Sequence, residues 1–167
     1  MPPDPVIRAV TSADLGILRS LNDAAVPAVN RIGLAEFDWF RVHAPYFRLA
    51  VDGDAIRAFL IALTPGLQYA SPNYRWFEAR GNRFVYIDRI VVAPEARGGG
   101  LGRLLYDDLA TFAAPFAECL TCEVNVRPPN PGSMAFHERM GFREVGRQSI
   151  DGGAKEVALL EKPLAPV

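Results

Sequence analysis

The most informative part of the sequence is residues 90–105, which read Ile90-Val91-Val92-Ala93-Pro94-Glu95-Ala96-Arg97-Gly98-Gly99-Gly100-Leu101-Gly102-Arg103-Leu104-Leu105. The apolar start predicts a β-strand that Pro94 ends, and the apolar spacing after Gly100 predicts an amphipathic helix. Glycines let the backbone of the turn approach a ligand closely, and the first N–H groups of a helix are available to an anion. Arg97 and Arg103 add positive charge. Residues 97–103, called the glycine cradle below, are therefore predicted to hold a pyrophosphate.

Two common phosphate-binding motifs do not fit the glycine cradle. A P-loop ends in Gly-Lys followed by Ser or Thr, whereas Gly102 is followed by Arg103 and Leu104, so the magnesium-binding hydroxyl is absent. A dinucleotide-binding G-x-G-x-x-G motif needs a third glycine, and Arg103 or Leu105 stands there, depending on the register. A flexible glycine turn without a ligand remains the alternative.

The rest of the chain alternates between strand and helix signals. In order, the apolar patterns predict a strand, two helices, three strands, a helix, a strand, a helix and two strands, which makes a mixed α/β domain. Asp52-Gly53 predicts a hairpin turn of type I′, in which both central residues have positive φ.

Residues 64–83 are predicted to be a long loop. Loops of this length inside a compact domain often bind a partner. The segment either contacts a substrate or a second subunit, or folds back onto its own domain. Its aromatic residues are Tyr69, Tyr74, Trp76 and Phe77.

Composition and charge exclude several classes of protein. The 167 residues suit one domain with a full core, and we expect residues 1–167 to form a single domain. Eighteen basic and nineteen acidic residues give a formal net charge of −1, which argues against binding to nucleic acid or to a membrane surface. The N-terminus lacks the features of a signal peptide, and no apolar run approaches the roughly 20 residues of a membrane helix. We therefore expect a cytoplasmic protein.

The two cysteines, Cys119 and Cys122, are predicted to be reduced thiols rather than part of a metal site. A zinc site needs a second pair of ligands, and His43 and His137 are the remaining soft ligands of the sequence. Residues i and i+3 of a strand point to opposite faces, so a disulfide or a shared metal is geometrically poor. We expect no metal.

The glycine cradle resembles motif A of the GNAT superfamily of N-acetyltransferases, whose pattern is Arg/Gln-x-x-Gly-x-Gly/Ala. Arg97, Gly100 and Gly102 fill its three defined positions. A second landmark of the family, N-x-x-S-x-x-aromatic or aliphatic-Tyr-E-K-x-G-F, is similar to Asn130-Pro131-Gly132-Ser133-Met134-Ala135-Phe136-His137-Glu138-Arg139-Met140-Gly141-Phe142. The clear match covers residues 84–142. It implies a GNAT-like α/β fold: a mixed, mostly antiparallel central sheet of about seven strands flanked by about four helices.

The resemblance also implies a cofactor, acetyl-coenzyme A or another short acyl-coenzyme A, and the residues that bind it. The backbone of Val91 and Val92 would pair with the pantetheine arm like an added strand. Asn130 and Ser133 would reach the cofactor from the next helix, and Phe136 would pack against its arm. Asn130 has the alternative role of a helix cap. Arg97 and Arg103 would give cationic support to the pyrophosphate. The N–H groups that would hold it are those of Gly98, Gly99, Gly100, Leu101, Gly102 and Arg103.

Acyl transfer from a thioester to an amine needs a deprotonated amine, a polarised carbonyl and a proton for the leaving thiolate. A backbone N–H near Val91 would donate to the oxyanion. Glu123 and Asp88 are the candidate general bases, and Asp88 has the alternative of pairing with Arg89. His137 stands where the family usually has a tyrosine. It is either the general acid, since histidine donates a proton near neutral pH, or a residue that fills space.

These residues together predict an enzyme that transfers an acetyl or short acyl group directly from coenzyme A to a primary amine. One alternative is a catalytically degenerate member that binds acyl-coenzyme A as a sensor or interaction module. Another is a nucleotide-binding domain of a different type. The expected acceptor is an amine-bearing small molecule or peptide, and the aromatic residues of the segment 64–83 are compatible with a homodimer.

Overall fold

The computed structural model describes residues 2–165, which contain seven strands and five α-helices. The strands are Val6–Ala9 (β1), Tyr46–Asp52 (β2), Ala55–Leu63 (β3), Phe84–Val92 (β4), Cys119–Arg127 (β5), Arg143–Ile150 (β6) and Lys155–Pro163 (β7). The helices are Leu15–Ala24 (α1), Leu34–His43 (α2), Pro72–Glu78 (α3), Leu101–Ala113 (α4) and Pro131–Arg139 (α5). None of the helices in this range combines the length and the apolar character needed to cross a membrane.

The strands form one mixed sheet in the order β1-β2-β3-β4-β5-β7-β6. Antiparallel ladders join β1 to β2, β2 to β3, β5 to β7 and β6 to β7, whereas β4 and β5 run parallel. A parallel neighbour needs a crossover connection, and α4 supplies it between β4 and β5. The mixed, mostly antiparallel sheet of seven strands predicted above is confirmed.

The chain divides into two compact units, which we call the first and the second unit. The first unit comprises the residues up to 63 and residues 88–111. The second comprises residues 64–87 and those from 112 onward. The boundary falls within β4, so this strand contributes to both units. The single domain expected from the sequence stays a prediction.

The core of the first unit is built around aromatic rings. Phe37 of α2, Phe47 of β2 and Phe59 of β3 have ring centroids 5.8–6.4 Å apart. Such offset and edge-on contacts are favourable beyond the area they bury. Asp108 of α4 accepts a hydrogen bond from the Tyr46 hydroxyl at 2.7 Å, which ties α4 to β2. The helix that follows the glycine cradle is thereby fixed to the body of its unit.

The main departure from the sequence prediction is α3, which lies inside the segment predicted as a loop. Ser71 caps it, because the Ser71 hydroxyl accepts from the Tyr74 N–H at 3.3 Å, and Pro72 occupies the first helical position. Tyr74 and Phe77, 0 % and 2 % exposed, pack against the ring of Tyr86 in β4. Tyr74 and Phe77 therefore fold back onto their own unit, which was one of the two alternatives for this segment. With α3, the described residues contain five α-helices rather than the predicted four or so.

The hairpin between β2 and β3 is confirmed, but its turn type is not. Asp52 pairs with Ala55, so Gly53 and Asp54 are the central residues of the turn. Gly53 has a φ of +65°, whereas Asp54 is not among the residues with positive φ. A type I′ turn needs positive φ at both central positions, and the prediction of that type was wrong.

In the second unit, α3 rests directly on the backbone of β6. A side-chain atom added at Gly146 would lie 2.5 Å from Cζ2 of Trp76, so the indole occupies the place of a side chain there. The β6–β7 register shifts just before Gly146, which marks a bulge. Gln148 donates to Asn73 Oδ1 at 2.9 Å and adds a polar contact between β6 and α3.

Replacing Gly146 by alanine should therefore destabilise the protein by about 1–3 kcal/mol, because the new methyl group collides with Trp76. The free energy of unfolding from urea denaturation measures this effect. The penalty should shrink when Trp76 is also replaced by leucine. Gly16→Ala in α1 is the control, because an added Cβ there meets nothing within 4 Å and alanine favours a helix by roughly 0.5–1 kcal/mol. A Gly146→Ala variant as stable as the parent would contradict the close contact.

Candidate functional site

The glycine cradle follows β4 and ends in the first turn of α4, as the sequence predicts. Residues 94–96 form one turn of 3-10 helix before it, and Leu101 begins α4. Gly98 and Gly100 have φ values of +79° and +87°, a region that glycine adopts without steric cost. An added Cβ at either position would have no atom within 4 Å. Ligand atoms can therefore approach the backbone of the turn.

The cradle also supplies hydrogen-bond donors and positive charge. The first N–H groups of α4 have no acceptor within the helix, and the helix dipole makes this end attractive to anions. Arg97 and Arg103 are both exposed, and Arg97 Nε donates to the Val92 carbonyl at 3.3 Å. Backbone donors, a helix N-terminus, two cations and an open glycine surface together fit a pyrophosphate.

Val91 and Val92 lie at the end of β4 that leads into the cradle. Val91 is buried and Val92 is half-buried. The parallel ladder of β4 and β5 joins residues 84–86 to residues 119–121, and the two valines lie further along β4 than these pairs. Immediately after them, the Ala93 N–H donates to the Arg57 carbonyl at 2.7 Å. The contacts of Val91 and Val92 with a pantetheine arm stay predictions.

In the first unit, Asp88 forms an ion pair with its neighbour Arg89. Their Oδ2 and Nε atoms lie 2.7 Å apart, and both side chains are only 4 % exposed. The guanidinium also donates to Asn22 Oδ1 at 3.0 Å, to the Asn30 carbonyl at 3.0 Å and to Asn30 Oδ1 at 2.8 Å. A buried guanidinium is strongly destabilising without a counter-charge. These contacts favour the pairing role of Asp88 over that of general base.

In the second unit, Glu123 of β5 lies beside the hydroxyl of Tyr86. The hydroxyl oxygen is 2.7 Å from Oε2 and 2.9 Å from Oε1 of the carboxylate. A hydrogen bond donated to a carboxylate favours its ionised form, which is the form a general base needs. Glu123 is half-buried rather than fully enclosed. Of the two candidate bases, Glu123 therefore has the surroundings that suit the role better.

Asn130 caps α5, the helix that carries the second landmark. Its Oδ1 accepts a hydrogen bond from the Ser133 N–H at 3.3 Å, and Pro131 follows at the first helical position. The cap role considered for Asn130 is thus present in the structure. Ser133 and Phe136 are half-buried on this helix. The contacts of Asn130, Ser133 and Phe136 with a cofactor stay predictions.

His137 is buried within α5, with 3 % of its surface exposed. Its Nδ1 lies 2.7 Å from the Ser133 carbonyl oxygen, and because a carbonyl can only accept, Nδ1 carries the proton. Burial lowers the pKa of His137 below its usual value, against a smaller opposing effect of the Ser133 hydrogen bond. The rings of Phe136 and Phe142 pack edge-on against the imidazole at 5.3 and 5.2 Å. These surroundings favour the space-filling alternative, and the general-acid role stays a prediction.

Both cysteines are free thiols, as predicted. Cys122 is buried and Cys119 is half-buried on β5. Burial raises the pKa of Cys119 to about 11 and that of Cys122 well above the ordinary 9.0, so both are protonated near neutral pH. Within residues 2–165, no group of three or more His, Cys, Asp or Glu side chains could hold a metal ion.

Comparison with known proteins finds one family and several individual relatives. The sequence model of the acetyltransferase (GNAT) family matches residues 16–142. The phosphinothricin N-acetyltransferase of Streptomyces coelicolor is 41% identical over 81 residues, which are 45% of this chain and 46% of that protein. The peptidyl-lysine N-acetyltransferase YjaB of Salmonella typhimurium is 29% identical over 75 residues, 45% of this chain and 48% of that protein. The matched part is about half the length of these curated relatives.

Solved structures extend the likeness of fold over nearly the whole chain. The yncA protein of Salmonella typhimurium, solved with its cofactor acetyl-CoA, aligns with a TM-score of 0.71 and 16% identity. The alignment covers 96% of this chain and 94% of that one. At this identity the likeness concerns the fold alone.

Replacing Gly100 by alanine should weaken the binding of coenzyme A by about tenfold or more. A φ of +87° costs a residue with a Cβ roughly 1–2 kcal/mol, so the turn relaxes and its N–H groups lose their common direction. Isothermal titration calorimetry gives the Kd. The matched control is Gly66→Ala, which meets the same strain at φ +90° outside the cradle and should keep its Kd within about twofold. Equal affinity of Gly100→Ala and the parent would show that the cradle does not hold the cofactor.

The stability of the protein should fall on acidification because of His137. The folded chain keeps this histidine neutral, whereas the unfolded chain takes up a proton below a pH of about 6.5, so acid favours unfolding. Urea denaturation at about pH 7.5 and 5.5 measures the loss. His137→Asn retains a donor near the position of Nδ1 and should show a smaller loss. His43→Asn, at the exposed histidine of α2, should behave like the parent. An unchanged loss in His137→Asn would contradict the assignment.

Proposed function

This chain belongs to the GNAT acetyltransferase family, and we propose that it is an N-acyltransferase that uses acetyl-coenzyme A. The observation that carries the proposal is the glycine cradle. It combines open glycines with left-handed backbone, the N-terminus of a long helix and two exposed arginines, immediately after a strand end. The family match across residues 16–142 includes the cradle and both candidate bases.

The chain's own groups account for cofactor binding as follows. The N–H groups of the cradle, with Arg97 and Arg103, would hold the pyrophosphate, and the backbone of Val91 and Val92 would bind the pantetheine arm. Acetyl-coenzyme A, when bound, supplies a thioester whose carbonyl carbon an amine can attack. A backbone N–H near Val91 would stabilise the negative charge that develops on the carbonyl oxygen.

Glu123 is the general base in this proposal. An alkylammonium ion cannot attack a thioester, so a base must take up its proton directly or through water, and a carboxylate can do so. Glu123 accepts a hydrogen bond from a neutral phenol, whereas Asp88 neutralises a buried guanidinium. Taking Asp88 out of that pair would leave an uncompensated charge. The leaving thiolate takes a proton from solvent or, if His137 acts as the acid, from its imidazolium form, which burial disfavours.

The acceptor class we propose is a primary amine of a small molecule or a peptide. One relative is named for phosphinothricin and another for peptidyl lysine, which supports this class without narrowing it. We also propose the cytoplasmic location expected from the sequence, and a homodimer, with which the aromatic residues of the segment 64–83 are compatible. Nucleic acid and membranes are not among the proposed partners.

A thiol-release assay with acetyl-coenzyme A and a broad panel of amines tests the activity. We expect at least one primary amine to release free thiol, with mass spectrometry showing an added acetyl group. The sensor alternative predicts binding of acetyl-coenzyme A without thiol release from any amine. A different type of nucleotide-binding domain would bind ATP or NAD more tightly than coenzyme A.

With an active amine in hand, Glu123→Gln should lower kcat by about a hundredfold or more, because the amide cannot accept the proton. The Kd for coenzyme A should not change. Glu144→Gln is the matched control, since Glu144 is exposed on β6 and pairs with Arg147. Full turnover in Glu123→Gln would remove Glu123 from the mechanism.

A further inference from the structure

We propose that Tyr86 is a positioning residue for the acyl transfer, whose hydroxyl orients the Glu123 carboxylate and keeps it ionised. The inference rests on the proposed function, because the chain needs a base only if it transfers an acyl group to an amine. Tyr86 belongs to neither sequence motif, and it lies 37 residues before Glu123 in the chain.

The contact defines the direction of the carboxylate. The hydroxyl oxygen of Tyr86 lies within 2.9 Å of both carboxylate oxygens of Glu123. The phenol therefore approaches the carboxylate between its two oxygens. Rotation about the last bond of the Glu123 side chain would lengthen at least one of the two contacts. A donor near both oxygens also stabilises negative charge on the group and opposes its protonation.

Tyr86 is itself held in place by α3. Its side chain is fully buried, and the rings of Tyr74 and Phe77 pack against it at 5.6 and 6.1 Å. The helix is fixed in turn by the contact of Trp76 with the backbone at Gly146. A side chain whose rotamer is locked by packing positions its neighbour more strictly than one exposed to solvent. The helix missed by the sequence analysis thus supports the proposed base.

The nearest charged residue of β7 on the same face of the sheet is Glu161, and it has cationic partners of its own. Glu123 pairs with Leu159 and Thr121 with Glu161, so Glu161 faces the same side two residues along the strand. Its carboxylate lies 3.6 Å from an Arg80 nitrogen of α3 and 3.9 Å from a nitrogen of Arg143 in β6.

Three buried titratable side chains on β5 and on the helices that pack against it are neutral near pH 7. From α3, the Tyr74 hydroxyl donates to the Thr64 carbonyl at 2.7 Å. Cys122 of β5 itself is buried, and burial raises its pKa. α5 also packs against β5, and burial lowers the pKa of its His137. Tyr86 is a neutral donor in direct contact with both carboxylate oxygens, so the loss of its hydroxyl should change the pKa of Glu123.

The first test needs no acceptor amine. Glutamate labelled with ¹³C at the side-chain carboxyl reports ionisation by NMR in the full-length protein, and the Glu123 signal is the one lost in Glu123→Gln. Tyr86→Phe should move the midpoint of the Glu123 titration upward by about one pH unit. Tyr74→Phe is the matched control: it removes the hydroxyl of an equally buried tyrosine that bonds to backbone, and should leave the midpoint within about 0.2.

A second measurement uses the unaltered protein, so it holds even if Tyr86→Phe folds poorly. Tyrosine labelled with ¹³C at Cζ should show a shift of the Tyr86 signal at the pH where Glu123 titrates, and no such shift at Tyr74. With an active amine, the acid limb of kcat/KM in Tyr86→Phe should move upward by the same amount, with the KM for acetyl-coenzyme A unchanged.

A Glu123 titration that is identical in Tyr86→Phe and the parent would overturn the inference. So would a shifted titration combined with full turnover in both Tyr86→Phe and Glu123→Gln, because the carboxylate would then serve no chemical step. The absence of thiol release from every amine, by contrast, counts against the proposed function. The NMR titration would still test whether Tyr86 stabilises the ionised form of Glu123, because that measurement needs no amine.

Discussion

The guanidinium of Arg89 must be neutralised where it lies, because it is buried in the first unit. Asp88 supplies the opposite charge, and Asn22 and Asn30 accept the other hydrogen bonds. These partners come from the end of α1 and from the connection to α2, so both are tied to β4 through one side chain. The strand fixed in this way is the one that leads into the glycine cradle. The same requirement occupies the Asp88 carboxylate, which favours its pairing role over that of general base.

The parts of the fold that depend on local chemistry were predictable from the sequence. Pro94 marks the end of β4, and Gly100 marks the start of α4. Asn130-Pro131 marks the start of α5. The second of the two helices predicted after the first strand corresponds to α2, Leu34–His43. By contrast, α3 has seven residues, too few for a clear apolar period, and it is stabilised by burying Tyr74 and Phe77. Its readable signal was the Ser71-Pro72 pair, which is a typical helix start.

The candidate site shows the same division between local and distant information. The cradle is a continuous segment, so its residues could be identified from their order alone. The environment of Glu123 depends on Tyr86, which the parallel pairing of β4 and β5 brings near from 37 residues away. The position of His137 in the motif suggested an acid, but its burial follows from packing that no motif encodes.

The division of the chain places its two tryptophans in different units: Trp39 in the first and Trp76 in the second. Trp39 stacks on the imidazole of His43 at 4.6 Å, whereas the guanidinium of Arg80 lies 5.0 Å from the ring of Trp76. The two indoles therefore have different surroundings. Single-tryptophan variants would report on each unit by intrinsic fluorescence alone, so the order in which the units unfold can be followed without an added label.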